Sequence, residues 1–125
     1  MITEDYVSFE TAKLLKEKGF ESDDCHTAYD ENGDFFWYGD YSKDRKCVVN
    51  APTLQMAMKW LREEYNFFIF ISTWRKLTNA VQYYCEIRNL DNPDFDTLAS
   101  FTSSELCSYE KACEAAIKYC LENLI

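Results

Sequence analysis

The stretch from Ser108 to the end of the chain constrains the fold more than any other. Tyr109, Ala112, Cys113, Ala116, Ile117, Cys120 and Leu121 recur at the three- and four-residue steps of an α-helix. Ser108 stands just before them, where a hydroxyl accepts a hydrogen bond from an otherwise unsatisfied helical N–H. Glu114 and Lys118, four residues apart on the wet side, are spaced for a favourable ion pair. A helix with such a stripe has to bury it, so the rest of the chain must supply an apolar surface. At 125 residues the length predicts one domain, 1–125, and that surface belongs to it.

Two other helices are predicted. Ser8 caps a run through Phe9, Ala12 and Leu15 to Lys18, after which Gly19 offers a left-handed position and Phe20 folds back on Leu15. Another begins near Pro52 and carries Leu54, Ala57, Met58, Leu61 and Tyr65 on one stripe. Strands fill the gaps. Residues 25–30 and 34–38 flank Asn32-Gly33, a strong hairpin signal, and 45–50 offers a short third strand. Residues 67–74 and 81–90 are long strands joined by a polar turn over 75–80. In the second of them Val81, Tyr83, Cys85 and Ile87 face the core, and Gln82, Tyr84, Glu86 and Arg88 face out. Residues 91–107 are mostly loop, with a weak strand over 98–102. The pattern predicts an α+β domain with three helices and a mostly antiparallel sheet of four to five strands, in the order α-β-β-(β)-α-β-β-α.

Composition narrows the class without supplying a chemistry. Apolar residues at 47% and aromatics at 17% exclude a disordered chain, and 3 Gly with 2 Pro argue against a many-turned barrel. The net charge of −9 is concentrated in residues 1–24 and 91–125, the stretch between them being balanced. Phosphate backbones repel such a surface, so general duplex binding is disfavoured; solubility is the plain reading of the acids, and imitation of nucleic acid the sharper alternative. The longest apolar run, Phe67 to Ile71, is far shorter than the ~20 residues that span a bilayer. Met1 is followed by Ile-Thr-Glu-Asp, with neither a basic nor an apolar leader, which predicts a cytoplasmic protein.

Candidate chemical groups fail on spacing. Cys25, Cys47, Cys85, Cys107, Cys113 and Cys120 contain no Cys-x-x-Cys pair, and on a helix Cys113 and Cys120 would lie about 10 Å apart. Free, buried thiols are expected. His26 is the only histidine, and beside Cys25 on a strand it points to the opposite face, so no thiolate–imidazole pair forms. Asp30-Glu31-Asn32-Gly33-Asp34 opens like a calcium loop but has Phe35 and Tyr41 where glycine and glutamate belong. Asp91, Asp94 and Asp96 with Asn92 are read as an acidic turn rather than a cation site. No phosphate-binding glycine motif or nucleophile elbow occurs. The expectation is no catalytic residue, no cofactor and no metal.

Two surfaces remain. Lys43, Arg45, Lys46, Lys59, Arg62, Arg75 and Lys76 could form a basic face around the second helix. The other surface comes from the hairpin. A two-residue Asn32-Gly33 loop pairs Tyr29 with Phe36 and Thr27 with Tyr38, placing those four on the core side. Phe35 and Trp37 then lie on the open side with Ala28, Asp30 and His26, near Tyr84 and Arg88 if the strands adjoin. Phe35, Trp37, Tyr84 and Arg88 are the candidate partner-binding residues, aromatics and arginine being what interaction hot spots use.

VSFETAKLLKEKGF (7–20), APTLQMAMKWLRE (51–63) and SYEKACEAAIKYCLENLI (108–125) resemble a family of small proteins encoded by phages and mobile elements of Bacteroides and related gut bacteria. The resemblance covers 45 of 125 residues. It implies a phage or prophage origin and a small intracellular role, and it carries no catalytic or binding residue across. The expected function is a non-enzymatic protein-interaction module, engaging a protein partner or a second copy of itself. The alternative is a nucleic-acid-linked protein, acting through the basic face or as a DNA mimic.

Overall fold

The structure, a computed structural model, describes residues 2–21, 25–37, 47–76, 78–92, 94 and 97–125. In chain order it contains α1 (Phe9–Glu17), β1 (Thr27–Asp30), β2 (Phe35–Trp37), β3 (Cys47–Asn50), α2 (Leu54–Tyr65), β4 (Phe67–Lys76), β5 (Val81–Asn89), β6 (Thr97–Thr102) and α3 (Tyr109–Tyr119). The turn after α3, Cys120–Leu124, widens to π-helical geometry. The fold is α+β with three helices, as predicted. The strands differ: six rather than four or five, in two antiparallel three-stranded sheets ordered β2-β1-β3 and β4-β5-β6. The short third strand expected over 45–50 forms, the weak one over 98–102 is the sixth, and each has a physical reason. Cys47–Asn50 pairs with the free side of β1, and Thr97–Thr102 lies along β5 with Ala99 and Phe101 turned to the core.

One apolar core joins the two sheets through the helices. Leu15 of α1, Leu61 of α2, Ile117 and Leu121 at the end of the chain, Val49 of β3, and Cys85 and Ile87 of β5 all belong to it. Burying each large aliphatic side chain stabilises the fold by roughly 1.5–3 kcal/mol. The helix ends follow local chemistry. The hydroxyls of Ser8, Thr53 and Ser108 each accept from the N–H three residues on. α2 thus begins near Pro52 as expected, with Thr53 as its cap. At the end of α1 the N–H groups of Gly19 and Phe20 reach Lys16 and Leu15 carbonyls, with Gly19 at φ +96°, and Phe20 joins the core as predicted. Asn66 closes α2 in the left-handed region, at φ +58°.

The predicted Glu114–Lys118 pair is not what forms. Glu114 Oε1 accepts from the Ser8 hydroxyl at 2.6 Å, whereas Lys118 Nζ meets Glu10 at 3.1 Å and Glu122 at 4.0 Å. Both side chains are drawn to α1, whose first turn offers a hydroxyl and an acid at closer range.

The β1–β2 hairpin corrects the register. Tyr29 lies opposite Phe35, Ala28 opposite Phe36 and Thr27 opposite Trp37, one residue away from the expected pairing. The loop has three residues because Asp30 organises it. Its carboxylate accepts from the N–H groups of Asn32 (2.9 Å) and Asp34 (3.0 Å), and its carbonyl accepts from Gly33 N–H. Asn32 keeps an ordinary negative φ and Gly33 alone takes φ +80°, the arrangement of a three-residue hairpin with a glycine bulge. A one-residue slip exchanges the faces. Phe35 and Trp37 therefore stand with Tyr29 on the side where Phe9 of α1 packs, and Phe36 stands with Ala28. Tyr38 lies outside the described residues.

Candidate interaction surface

The outer face of β4-β5-β6 is built by pairing. Phe68 lies opposite Arg88, Phe70 opposite Glu86 and Ser72 opposite Tyr84; across β5, Tyr84 faces Thr102 and Glu86 faces Ser100. The alternate residues Phe67, Ile69, Cys85 and Ile87 point inward and are buried, with α2 against β4 and α3 against β4 and β5. Phe68, Phe70 and Trp74 remain 37%, 45% and 57% exposed on the outer side. Trp74 follows Phe68, Phe70 and Ser72 onto this face by alternation, and the slip between Thr73 and Arg75 brings Arg75 opposite Gln82 on the same side. Its ring lies 5.9 Å from that of Tyr84 at 25°, a stacked pair.

Polar groups hold the rest of the face in place. Arg75 Nε donates to Gln82 Oε1 (2.9 Å), and Gln82 Nε2 donates to Thr102 Oγ1 (3.2 Å). Gln82, expected to face solvent, is on the outer side but buried by this chain of bonds. Arg88 donates to Glu86 at 3.1 Å and the Thr97 hydroxyl donates to it at 2.9 Å. Those hydrogen bonds, Arg88 first, hold the Glu86 carboxyl below the usual carboxylate range. The three strands carry Arg75, Lys76 and Arg88 against the single acid Glu86, in a chain with 22 acids and 13 basic residues.

The four candidate residues fall into two groups. Phe35 and Trp37, 36% and 48% exposed, form an aromatic cluster with Tyr6 and Tyr29, the Tyr6–Phe35 centroids lying 4.9 Å apart. Tyr84 and Arg88 are on the other sheet, and among the described residues no strand pairing links the two sheets. The structure thus brings Phe35 to Trp37, and Tyr84 to Trp74, but not the four together. Phe68, Phe70 and Trp74 were missed from the sequence. Their signal was a strand apolar on both faces, whereas an antiparallel sheet normally solvates one.

The other candidate groups are placed as follows. Cys25 is buried, its thiol donating to the Thr27 carbonyl, and His26 is exposed. Cys25, Cys85, Cys107, Cys113 and Cys120 are free thiols, and Cys107 is exposed rather than buried because it precedes α3 outside the stripe. Burial pushes the Cys85 and Cys120 thiols up to about 12 and Cys113 to about 11. Among the described residues no three His, Cys, Asp or Glu are grouped to hold a metal ion. Asp91 and Asp94 sit in a turn where their N–H groups reach Asn89 and Asn92 side chains; Asp96 lies outside the described residues. On α2, Lys59 pairs with Glu63, and Arg75 and Lys76 end β4 rather than lying in a turn. Lys43, Arg45 and Lys46 lie outside the described residues. Among the described residues no helix is long and apolar enough to cross a membrane.

No protein-family model, curated protein or solved structure matches this chain.

Proposed function

We propose that the chain is a non-enzymatic interaction module whose contact surface is the outer face of β4-β5-β6. The observation carrying this reading is the row Phe68, Phe70 and Trp74, three large rings left to solvent on one rigid sheet face. Large exposed apolar groups clustered in this way are costly for solubility and are characteristic of binding surfaces. Tyr84 and Arg88 flank the row, giving the residue types that carry most of the energy at contact centres. The aromatic cluster at Phe35 and Trp37 is more enclosed, packed by Tyr6 and Tyr29. The resemblance of residues 7–20, 51–63 and 108–125 to phage-encoded proteins supports a phage or prophage origin, with a partner in the host cell.

Capture from bacterial lysate tests the reading. The wild-type chain retains a partner that Phe70→Lys and Trp74→Ala lose while melting at the wild-type temperature. Retention of the same components by both variants overturns it.

A further inference from the structure

We propose that the outer face of β4-β5-β6 binds single-stranded nucleic acid, with bases stacking on its exposed rings; this inference rests on the module reading above. Three observations select that occupant. The first is charge: the outer face carries Arg75 and Arg88 against Glu86, Lys76 lying opposite Val81 on the other side, whereas the whole chain carries 13 basic residues to 22 acids. The one acid, Glu86, is already engaged by Arg88 and Thr97. An anionic ligand is thus drawn to this face and repelled by the acidic ends of the chain. A second copy of the chain, itself at −9, gains no such attraction in a symmetric face-to-face contact.

The second observation is the arrangement of the rings. Phe68 and Phe70 form one platform, and Trp74 on Tyr84 forms another, about 13 Å further along β4 from Phe70 at 3.3 Å per residue. Every base has a flat face, so two stations about 13 Å apart on one sheet suit two unpaired bases separated by an intervening nucleotide. The third is what lies between the stations. Ser72 lies between them on β4 and Ser100 brings a second hydroxyl to the same face from β6, whereas the Thr102 hydroxyl is already bonded to the Tyr83 carbonyl and to Gln82. Base edges use such groups, whereas the centre of a protein contact is more continuously apolar. A duplex hides its bases' faces, so it is not the ligand.

Fluorescence anisotropy with labelled oligothymidylate and oligouridylate tests this at low and moderate salt, with a duplex of matched length as control. The wild-type chain should bind the single strands, more weakly as salt rises, and should bind the duplex at least ten-fold more weakly. Stacking contributes roughly 1–3 kcal/mol per base, so Trp74→Ala and Phe70→Ala should each lower affinity about five-fold or more. Arg88→Gln should reduce the salt dependence. Equal affinity for duplex and single strand, or unchanged affinity in both ring variants, overturns the proposal. If no oligonucleotide binds but lysate capture yields a nuclease-resistant protein that Phe70→Lys loses, nucleic acid is wrong and the module reading stands. If neither binds, both fall.

Discussion

Glu114 of α3 reaches across to Ser8 and accepts both its hydroxyl, at 2.6 Å, and its backbone N–H, at 3.1 Å. Ser8 is itself the cap of α1, its hydroxyl oxygen accepting from Thr11 N–H at 3.2 Å. A side chain 106 residues away thus orients the group that satisfies the first turn of another helix, and places a negative charge where the helix dipole favours one. Ser8→Ala should cost about 1 kcal/mol, as N-cap losses do. Glu114→Gln should cost less, and the double variant less than the sum. Additive losses in chemical denaturation would show that the two groups act independently.

Ala116 is fully buried in the stripe of α3. Ala116→Asp puts a charge there with no partner, a change costing several kcal/mol against a total of roughly 5–15 kcal/mol. Loss of the cooperative thermal transition is the expected result. An unchanged melting temperature would contradict the burial of this face.

The hairpin turn gives a sharper comparison. Gly33 has φ +80°, and a Cβ added to it would stand 3.0 Å from the Phe9 ring, whereas Gly19 at φ +96° has open space around it. Alanine in the left-handed region costs roughly 1–2 kcal/mol at either site. Gly33→Ala should therefore destabilise more than Gly19→Ala, by the displacement of Phe9. Equal losses in urea unfolding would remove Phe9 from the account.

Thiol reactivity should separate Cys107 from the core. Cys107 is exposed with Lys111 Nζ 3.5 Å from its sulfur, while burial raises Cys85, Cys113 and Cys120 to about 11–12. With iodoacetamide near neutral pH, the Cys107 peptide should be alkylated first and the three core peptides only on unfolding. Concurrent labelling of all four would contradict it.

Glu86 carries a pH signature. Its folded pKa is depressed, so its contribution to stability is present above the ordinary carboxylate value of about 4.3 and is lost as pH falls through the depressed one. Carboxyl titration by NMR should place Glu86 below that value, and Arg88→Leu should raise it. A Glu86 titration unchanged by that substitution would disconnect the pair.

The helices were legible in the sequence and the sheet faces less so. Capping residues and 3.6-residue stripes are local, and Ser8, Gly19 and Ser108 each act where they stand. The hairpin register depended on whether the Asp30 carboxylate would organise the loop, a choice between two turns that Asn-Gly permits equally. That single residue moved Phe35 and Trp37 from one side of the sheet to the other. Trp74 follows alternation onto the face of Tyr84, whereas Arg75 reaches Gln82 only through a slip in the ladder, of which alternation gives no sign. Thr97–Thr102 has little apolar patterning of its own and becomes a strand because β5 has a second edge to fill.

β4 lies at the edge of its sheet. Its first six residues, Phe67 to Ser72, are uncharged and made almost entirely of aromatic and β-branched side chains, the composition that stacks into cross-β fibrils when a chain is unfolded. Glu63 and Glu64 precede this stretch and Arg75 and Lys76 follow it, charges that oppose growth at either end. The slip at Trp74 also bends the strand away from the flat geometry another strand would need. Substitutions that destabilise this fold should therefore be seen first as insoluble protein, with the segment 67–72 forming the protease-resistant core of the aggregate.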